Sequence, residues 1–256
     1  MEIRLADYIF QRLADHGVHH VFLVTGGGAM HLNDAIGREK RIQYVCNHHE
    51  QASAIAAEGY ARVTNKIGVV NVTAGPGGVN ALNGVFGAFT DSIPMLVISG
   101  QVKRETRLAT HGLLGKLRQL GDQEIDIVGM VKNVTKYAVT VTDPNSIRYH
   151  LERALHLAQT GRPGPCWLDI PVDVQGSKID TDKLVPYDPA EDALDSDETR
   201  FPAICREIVE KIAAAKRPVI LAGTGVRLAG AVDVFQRVTA KLGIPVTTAW
   251  THDIIA

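Results

Sequence analysis

Several features are scarce or missing in this 256-residue chain, and each absence excludes something. No apolar run is longer than a β-strand, whereas a membrane-spanning helix needs about 20 consecutive apolar residues. Charge of neither sign accumulates: 27 Lys and Arg face 28 Asp and Glu, for a net charge of −1. The basic residues are scattered rather than massed in a stripe, so a dedicated nucleic-acid surface is set aside. Cysteine is sparse. Three widely spaced thiols, Cys46, Cys166 and Cys205, suit reduced side chains in a cytoplasmic protein better than a disulfide framework. The segment Met1-Glu2-Ile3-Arg4-Leu5-Ala6-Asp7 enters an amphipathic helix and has no signal-peptide pattern. There is no internal repeat and no low-complexity tract.

What the chain does have is a regular alternation. Apolar strand-like runs recur at residues 21–25, 42–46, 69–73, 95–99, 137–141 and 166–170. Helical patterns at 5–16, 51–63, 79–90 and 146–160 separate most of them. Runs such as Val21-Phe22-Leu23-Val24 are apolar on both faces, as strands covered on each side must be. The expected fold is α/β, a mostly parallel sheet flanked by helices on both faces, over residues 1–183. Residues 184–200 hold two prolines and six acidic residues with little periodicity, which reads as an acidic linker. A second α/β unit, residues 201–256, follows with helices at 201–215 and 228–242 and strands at 219–223 and 245–248. Two parallel strands make a poor core, so the chain is expected to be cut off inside this second domain. Cys46, at the end of an apolar run, reads as a core residue rather than as a nucleophile paired with His48.

Three turns and one carboxylate carry the chemistry. In His48-His49-Glu50-Gln51-Ala52-Ser53, a strand gives way to a helix of small residues, placing Glu50 at the helix's positive end. The dipole there favours the ionised carboxylate while burial opposes it, and groups between such opposing influences are candidates for proton chemistry. Thr25-Gly26-Gly27-Gly28, Ala74-Gly75-Pro76-Gly77-Gly78 and Gly223-Thr224-Gly225 each join a strand to a helix. Backbone amides at such turns hold phosphates, so a nucleotide-binding module competes with simple packing turns. None of the three has the full dinucleotide spacing. Adjacent His48 and His49 point apart and lack a third ligand, so no metal site is expected within this chain.

Set in order, these segments resemble the pyrimidine-binding domain of thiamine diphosphate enzymes, in the acetolactate synthase-like branch. The resemblance runs through Val21-Phe22 and Gly26-Gly27, Asp34-Ala35, His49-Glu50 with Gly59-Tyr60-Ala61-Arg62, and Thr73-Ala74-Gly75-Pro76-Gly77 with Asn80. It continues through Asp91-Ser92-Ile93-Pro94, Ser99-Gly100-Gln101, Gln123-Glu124-Ile125-Asp126-Ile127, Thr135-Lys136 and Thr160-Gly161-Arg162-Pro163-Gly164-Pro165. It covers residues 5–175, with a weaker likeness of the tail to the start of the family's middle domain.

The resemblance implies a 2-oxoacid decarboxylase or carboligase using thiamine diphosphate and Mg²⁺. Glu50 matches the glutamate that hydrogen-bonds the pyrimidine N1′ and favours its 4′-imino tautomer, whose nitrogen takes the proton from thiazolium C2. Gly26, Thr73, Pro76 and Asn80 match the pyrimidine pocket, and Gln123 matches an active-site glutamine near the substrate. The residue before it is usually a large aromatic in acetolactate synthases but is Asp122 here. The preceding loop, residues 108–121, is longer than usual and carries His111, Lys116 and Arg118. Both departures leave open a carboligase with a polar acceptor such as a keto-sugar. The family holds the diphosphate and Mg²⁺ through a Gly-Asp-Gly…Asn motif that this sequence lacks, so those ligands are expected outside the chain and the chain alone is expected to be inactive. A flavin in the middle domain, as in some relatives, stays open. The family's active site is shared between subunits, which implies a homodimer or dimer of dimers. The small-residue helices 51–63 and 79–90 are its expected surface, although such side chains serve equally within one core. A non-catalytic half kept for assembly or regulation is the third reading.

Overall fold

The computed structural model describes residues 1–193 and 197–248. The chain divides into two compact units, Met1–Asp192 and Ala193–Ala256. In the first, β1 (Glu2–Arg4) leads into α1 (Leu5–Asp15), β2 (His20–Leu23), α2 (Met30–Arg38), β3 (Gln43–Cys46) and α3 (Glu50–Thr64). Then come β4 (Gly68–Val72), α4 (Pro76–Thr90), β5 (Met95–Gln101) and a long loop to α5 (Ile127–Val131). The unit closes with β6 (Tyr137–Thr140), α6 (Ile147–Gln159), β7 (Pro165–Pro171), the single turn α7 (Val172–Gln175) and β8 (Lys178–Asp180).

Six strands form one wholly parallel sheet in the order β3-β2-β4-β5-β7-β6. β1 and β8 pair antiparallel in a separate ribbon. Period-two alternation splits the core in two. Val21, Leu23, Val69, Leu96, Ile98, Cys166, Leu168 and Ile170 pack with α1, α2 and α6. Phe22, Val70, Val72, Met95, Val97 and Trp167 pack with α3, α4 and α5. Every position of β4, β5 and β7 is buried, as the two-sided apolar runs require.

The edge strand β3 has only β2 beside it, and all four of its residues are exposed. Cys46 is therefore exposed, contrary to the core position expected from its apolar run. Sequence periodicity registers the strand but not its place at the rim. The helix α2 also went unread, because its short, polar-rich segment has only Leu32, Ala35 and Ile36 buried.

The segment expected as a linker over 184–200 belongs, up to Asp192, to the first unit. Leu184 and Tyr187 are buried. The Tyr187 N–H donates to Glu152 (3.0 Å), and Arg153 on α6 forms a two-pronged pair with Asp192 (2.8 and 2.9 Å). Two of the acidic residues that made the stretch look like a spacer, Glu191 and Asp192, are partners for Tyr149 and Arg153 of α6.

Several matched motifs turn out to be struts. Arg62, near the end of α3, pairs with Glu58 one turn back and with Asp91 at the end of α4. Arg162 donates to Ser92 Oγ (2.6 Å). Lys136 donates to the carbonyls of Leu157 and, at 2.7 Å, Thr160, where the end of α6 leaves carbonyls without helical partners.

α3 and α4 pack on each other through Ala54, Ala57, Ala61, Ala81, Val85 and Ala88. A Cβ added at Gly84 would lie 2.6 Å from the Ala54 Cβ, so the glycine sets how closely the helices approach. The small-residue faces are thus spent inside one protomer, and Gly84, expected on a dimer surface, is buried. The large apolar side chains that the pair exposes are Ile55, Val63, Phe86 and Phe89.

The second unit comprises α8 (Phe201–Ala214), β9 (Ile220–Ala222), α9 (Gly225–Leu228), α10 (Val232–Leu242) and β10 (Val246–Thr248), with β9 and β10 parallel. The helix expected over 228–242 starts only at Val232, beyond Gly230, whose φ of +64° lies outside the helical range, and the separate turn α9 ends at Leu228. α8 has no buried residue and leaves Ile204, Ile208 and Val209 exposed. Among the described residues no helix is long and apolar enough to cross a membrane.

The α3–α4 contact makes a paired prediction. Gly84→Leu should destabilise the chain by about 1–3 kcal/mol through overpacking. Gly87→Ala, where an added Cβ meets nothing within 4 Å, should be neutral or stabilising by up to about 1 kcal/mol. Urea unfolding of the two variants checks both.

Candidate active site at the strand-order reversal

In the central sheet, chain order runs from β2 outward to β3 on one side and then to β4 on the other. Such a reversal opens a crevice beyond the carboxyl ends of the two central strands, where helix starts converge. The turn after β2 carries Gly26, the turn after β4 carries Thr73 and Gly75, and α3 begins at Glu50.

Thr73 joins the two turns. Its Oγ1 accepts from the Gly28 N–H (3.0 Å). Gly26 has an extended backbone, φ −170°, so it is glycine for space rather than for conformation. A Cβ there would lie 2.5 Å from Thr73, and one at Gly77 would lie 2.7 Å from it. Asn33 extends the frame, donating to the Gly26 carbonyl (3.3 Å) and accepting from Asn71 (2.9 Å), a buried amide in the middle of β4.

Glu50 is half-buried in the first turn of α3, after His49, whose Nδ1 caps the helix by accepting from the Gln51 N–H (3.1 Å). Asn80, one turn into α4, donates to Glu50 Oε2 (2.9 Å). Among the described residues nothing donates to the other oxygen, Oε1, which lies 3.4 Å from the Cβ position of Gly77. One oxygen is thus anchored and the other has no donor among the described residues. Pro76 opens α4, its fixed φ suited to a first helical position.

Gly75 has φ +57°, and a Cβ there would lie 2.4 Å from the carbonyl oxygen of Gln123. The turn of β4 and the loop after β5 are thus in direct contact. Gln123 is itself in the left-handed region, φ +59°, uncommon for a residue with a side chain. Glu124 gathers the loop: its carboxylate accepts from the N–H groups of Leu108 (2.7 Å), Leu120 (3.1 Å) and Gly121 (3.3 Å). Asp122 and Gln123 are exposed. Of the residues singled out in sequence, Gly26, Glu50, Thr73, Pro76 and Asn80 form one cluster, and Gln123 adjoins it through its backbone. Asp122 is bonded to none of them. His48 and His49 are exposed, and no described group of three or more His, Cys, Asp or Glu is arranged to hold a metal.

One group escaped the sequence reading. Asp169 on β7 is wholly buried at the carboxyl end of the sheet. Its carboxylate accepts from Ser99 Oγ (2.7 Å), Gln101 Nε2 (3.1 Å) and Thr140 Oγ1 (3.0 Å), and Ser99 accepts in turn from Trp167 Nε1 (2.8 Å). Burial pushes its pKa up to about 6, against these three hydrogen bonds and the charge of Arg107, which pull it down. The signal in sequence was an acidic residue inside the apolar run Cys166-Trp167-Leu168-Asp169-Ile170.

A family model described as "Thiamine pyrophosphate enzyme, N-terminal TPP binding domain" matches residues 3–130, and the corresponding central-domain model matches residues 205–255. The chain is 36% identical to the acetolactate synthase large subunit of Lactococcus lactis subsp. lactis (strain IL1403), 35% to the acetolactate synthase of Arthrospira platensis, and 33% to the acetolactate synthase isozyme 3 large subunit of Escherichia coli (strain K12). Each alignment covers 94% of this chain and 40% of the relative, so the chain spans about two fifths of the length of the curated relatives it matches.

The Asp169 carboxyl sets a pH dependence. With its pKa raised from 3.8 to about 6, the folded chain holds this proton more tightly than the unfolded chain does. Its contribution therefore favours folding increasingly as pH falls through 6 towards 4, and that gain is lost as pH rises through 6. Measured by urea unfolding, wild type should lose on the order of 2 kcal/mol relative to Asp169→Asn between pH 4.5 and pH 7.5. A pH-independent difference between the two would contradict the assignment.

Proposed function

We propose a function from one premise: this chain belongs to the thiamine pyrophosphate enzymes, whose N-terminal TPP binding domain spans its residues 3–130. The proposed activity of the whole protein is that of an acetolactate synthase-like decarboxylase and carboligase acting on a 2-oxoacid. The observation that carries it is Glu50, held by Asn80 through one oxygen while the other stays uncommitted at the strand-order reversal. That donor set fits the cofactor's pyrimidine, which offers a ring nitrogen to a carboxyl group.

Bound thiamine diphosphate supplies an electron sink for breaking the bond between a 2-oxoacid's carbonyl carbon and its carboxylate. In the proposed assignment Glu50 Oε1 shares a proton with pyrimidine N1′. Asn80 fixes the carboxylate's orientation, so the proton moves without a rotamer change. Gly26, Thr73 and Pro76 would line the pocket that holds the pyrimidine. Gln123 is assigned to the substrate side, and both it and neighbouring Asp122 are exposed. The ligands for the diphosphate and Mg²⁺ are assigned outside this chain, and no flavin site is assigned. The relatives reported above are acetolactate synthases, which does not favour a keto-sugar acceptor, a nucleotide module or a non-catalytic half.

Glu50→Gln keeps the size and the bond to Asn80 but cannot share a proton in the same way. In the holoenzyme it should lower kcat by roughly 10²–10⁴-fold, the usual span of a general acid–base contribution. Near-normal exchange of the cofactor's C2 proton in that variant would sink the assignment.

The proposed partner is a second copy of the chain, docked through the outer faces of α3 and α4. Ile55, Phe86 and Phe89 lie exposed there beside a helix pair whose inner face is already spent. Phe86→Glu should shift sedimentation towards the monomer with little change in unfolding midpoint. Equal association of wild type and variant would place the contact elsewhere.

A further inference from the structure

The long loop between β5 and α5 carries Gln123, yet few regular elements hold it. Arg104 ties the loop's first turn to Asp173 (3.0 and 2.7 Å), and the loop's two ends are joined through one side-chain amide. Gln101, buried at the end of β5, donates from Nε2 to the Ile125 carbonyl (3.0 Å) and to Asp169 Oδ2 (3.1 Å), while its Oε1 accepts from the Val102 N–H (3.0 Å). Both ends of that amide are committed, one to each end of the loop. An amide placed this way holds the loop only in one orientation, and the two orientations differ by exchanging a donor for an acceptor.

Asp169 decides between them. An ionised carboxylate only accepts, so it draws the Nε2 end of Gln101 towards itself and leaves the second N–H for Ile125. Its own orientation is fixed by Ser99 and Thr140, and Ser99 is in turn committed by the Trp167 N–H. Ser99, Asp169 and Thr140 are register partners on β5, β7 and β6, so the carboxylate rests on three strands of the rigid sheet. Two residues before Ile125, the Gln123 carbonyl abuts Gly75 at the end of β4.

We infer that Asp169 is a positioning residue for the substrate-side loop: through the Gln101 amide it holds the Ile125 carbonyl, and with it the left-handed turn at Gln123 that packs on Gly75. The role in substrate binding rests on the proposed placement of Gln123. The link itself is a property of the chain without cofactor, so the following test bears on the link and leaves that placement untouched.

Amide hydrogen exchange and ¹⁵N NMR are recorded on the 256-residue chain and on two variants. Gln101→Met removes the amide but leaves Asp169 with Ser99 and Thr140. It should speed exchange in residues 102–126 by roughly 10-fold or more, the scale of a lost buried hydrogen bond, with β4 and α1 unchanged. Asp169→Ala should speed the same segment and also release the Gln101 side-chain NH₂ protons, which should be protected in wild type. If Gln101→Met leaves the loop as protected as wild type, the inference falls whatever the second variant does. It falls equally if Asp169→Ala loosens the loop while the Gln101 NH₂ signal stays as in wild type. Should Asp169→Ala fail to fold, Gln101→Met and the wild-type NH₂ protection decide between a linked and an unlinked loop.

Discussion

The site depends on how closely two strand ends approach each other around Thr73. Its hydroxyl takes the Gly28 N–H, and both Gly26 and Gly77 lie where a single Cβ would collide with it. This contact draws the turn of β2 against the turn of β4, and the start of α4 follows at once. Asn80 then comes within hydrogen-bond reach of Glu50 on the neighbouring helix. Removing that proximity would leave a carboxylate at a helix start with nothing to orient it.

The rest of the first unit stabilises this approach from below. A parallel sheet buried on both faces is rigid because its strands must fill two cores at once. The α3–α4 pair, closed to the width of Gly84 against Ala54, sets the separation between Glu50 and Asn80. The ion pair of Arg62 with Asp91 ties the ends of α3 and α4 to each other, and the carbonyl caps from Lys136 tie the end of α6 to the start of β6. Asp169 costs stability where it is ionised, since burial opposes its charge, yet it is the acceptor at which three strands and the Gln101 amide meet. A buried carboxylate in that position serves orientation better than it serves folding energy.

Much of this was legible without coordinates. Two-sided apolar runs point to a covered parallel sheet, and all six strands of that sheet lie where the runs place them, within a residue or two. Gly26, Thr73, Pro76 and Asn80 are named through the resemblance to the thiamine diphosphate enzymes, while glycine turns flanked by strand and helix, with a glutamate opening a small-residue helix, single out Glu50 and the turns after β2 and β4. These features are local, set by periodicity, by propensity and by what a turn tolerates.

Tertiary structure alone decided matters that concern neighbours distant in sequence. Whether β3 lies at the edge, and so whether Cys46 is exposed, depends on strand order, which periodicity does not encode. The acidic stretch up to Asp192 looks like a spacer until Arg153, 39 residues earlier, is seen to face it. Gly84 reads as a surface for a partner, but only helix packing shows that its space is taken by Ala54 within the same chain. Asp169 stands out in sequence as a charge in an apolar run, while its donors come from the ends of two other strands, β5 and β6. A residue's type and local pattern are written in the chain; which groups complete its hydrogen bonds is settled only when strands far apart in sequence are laid side by side.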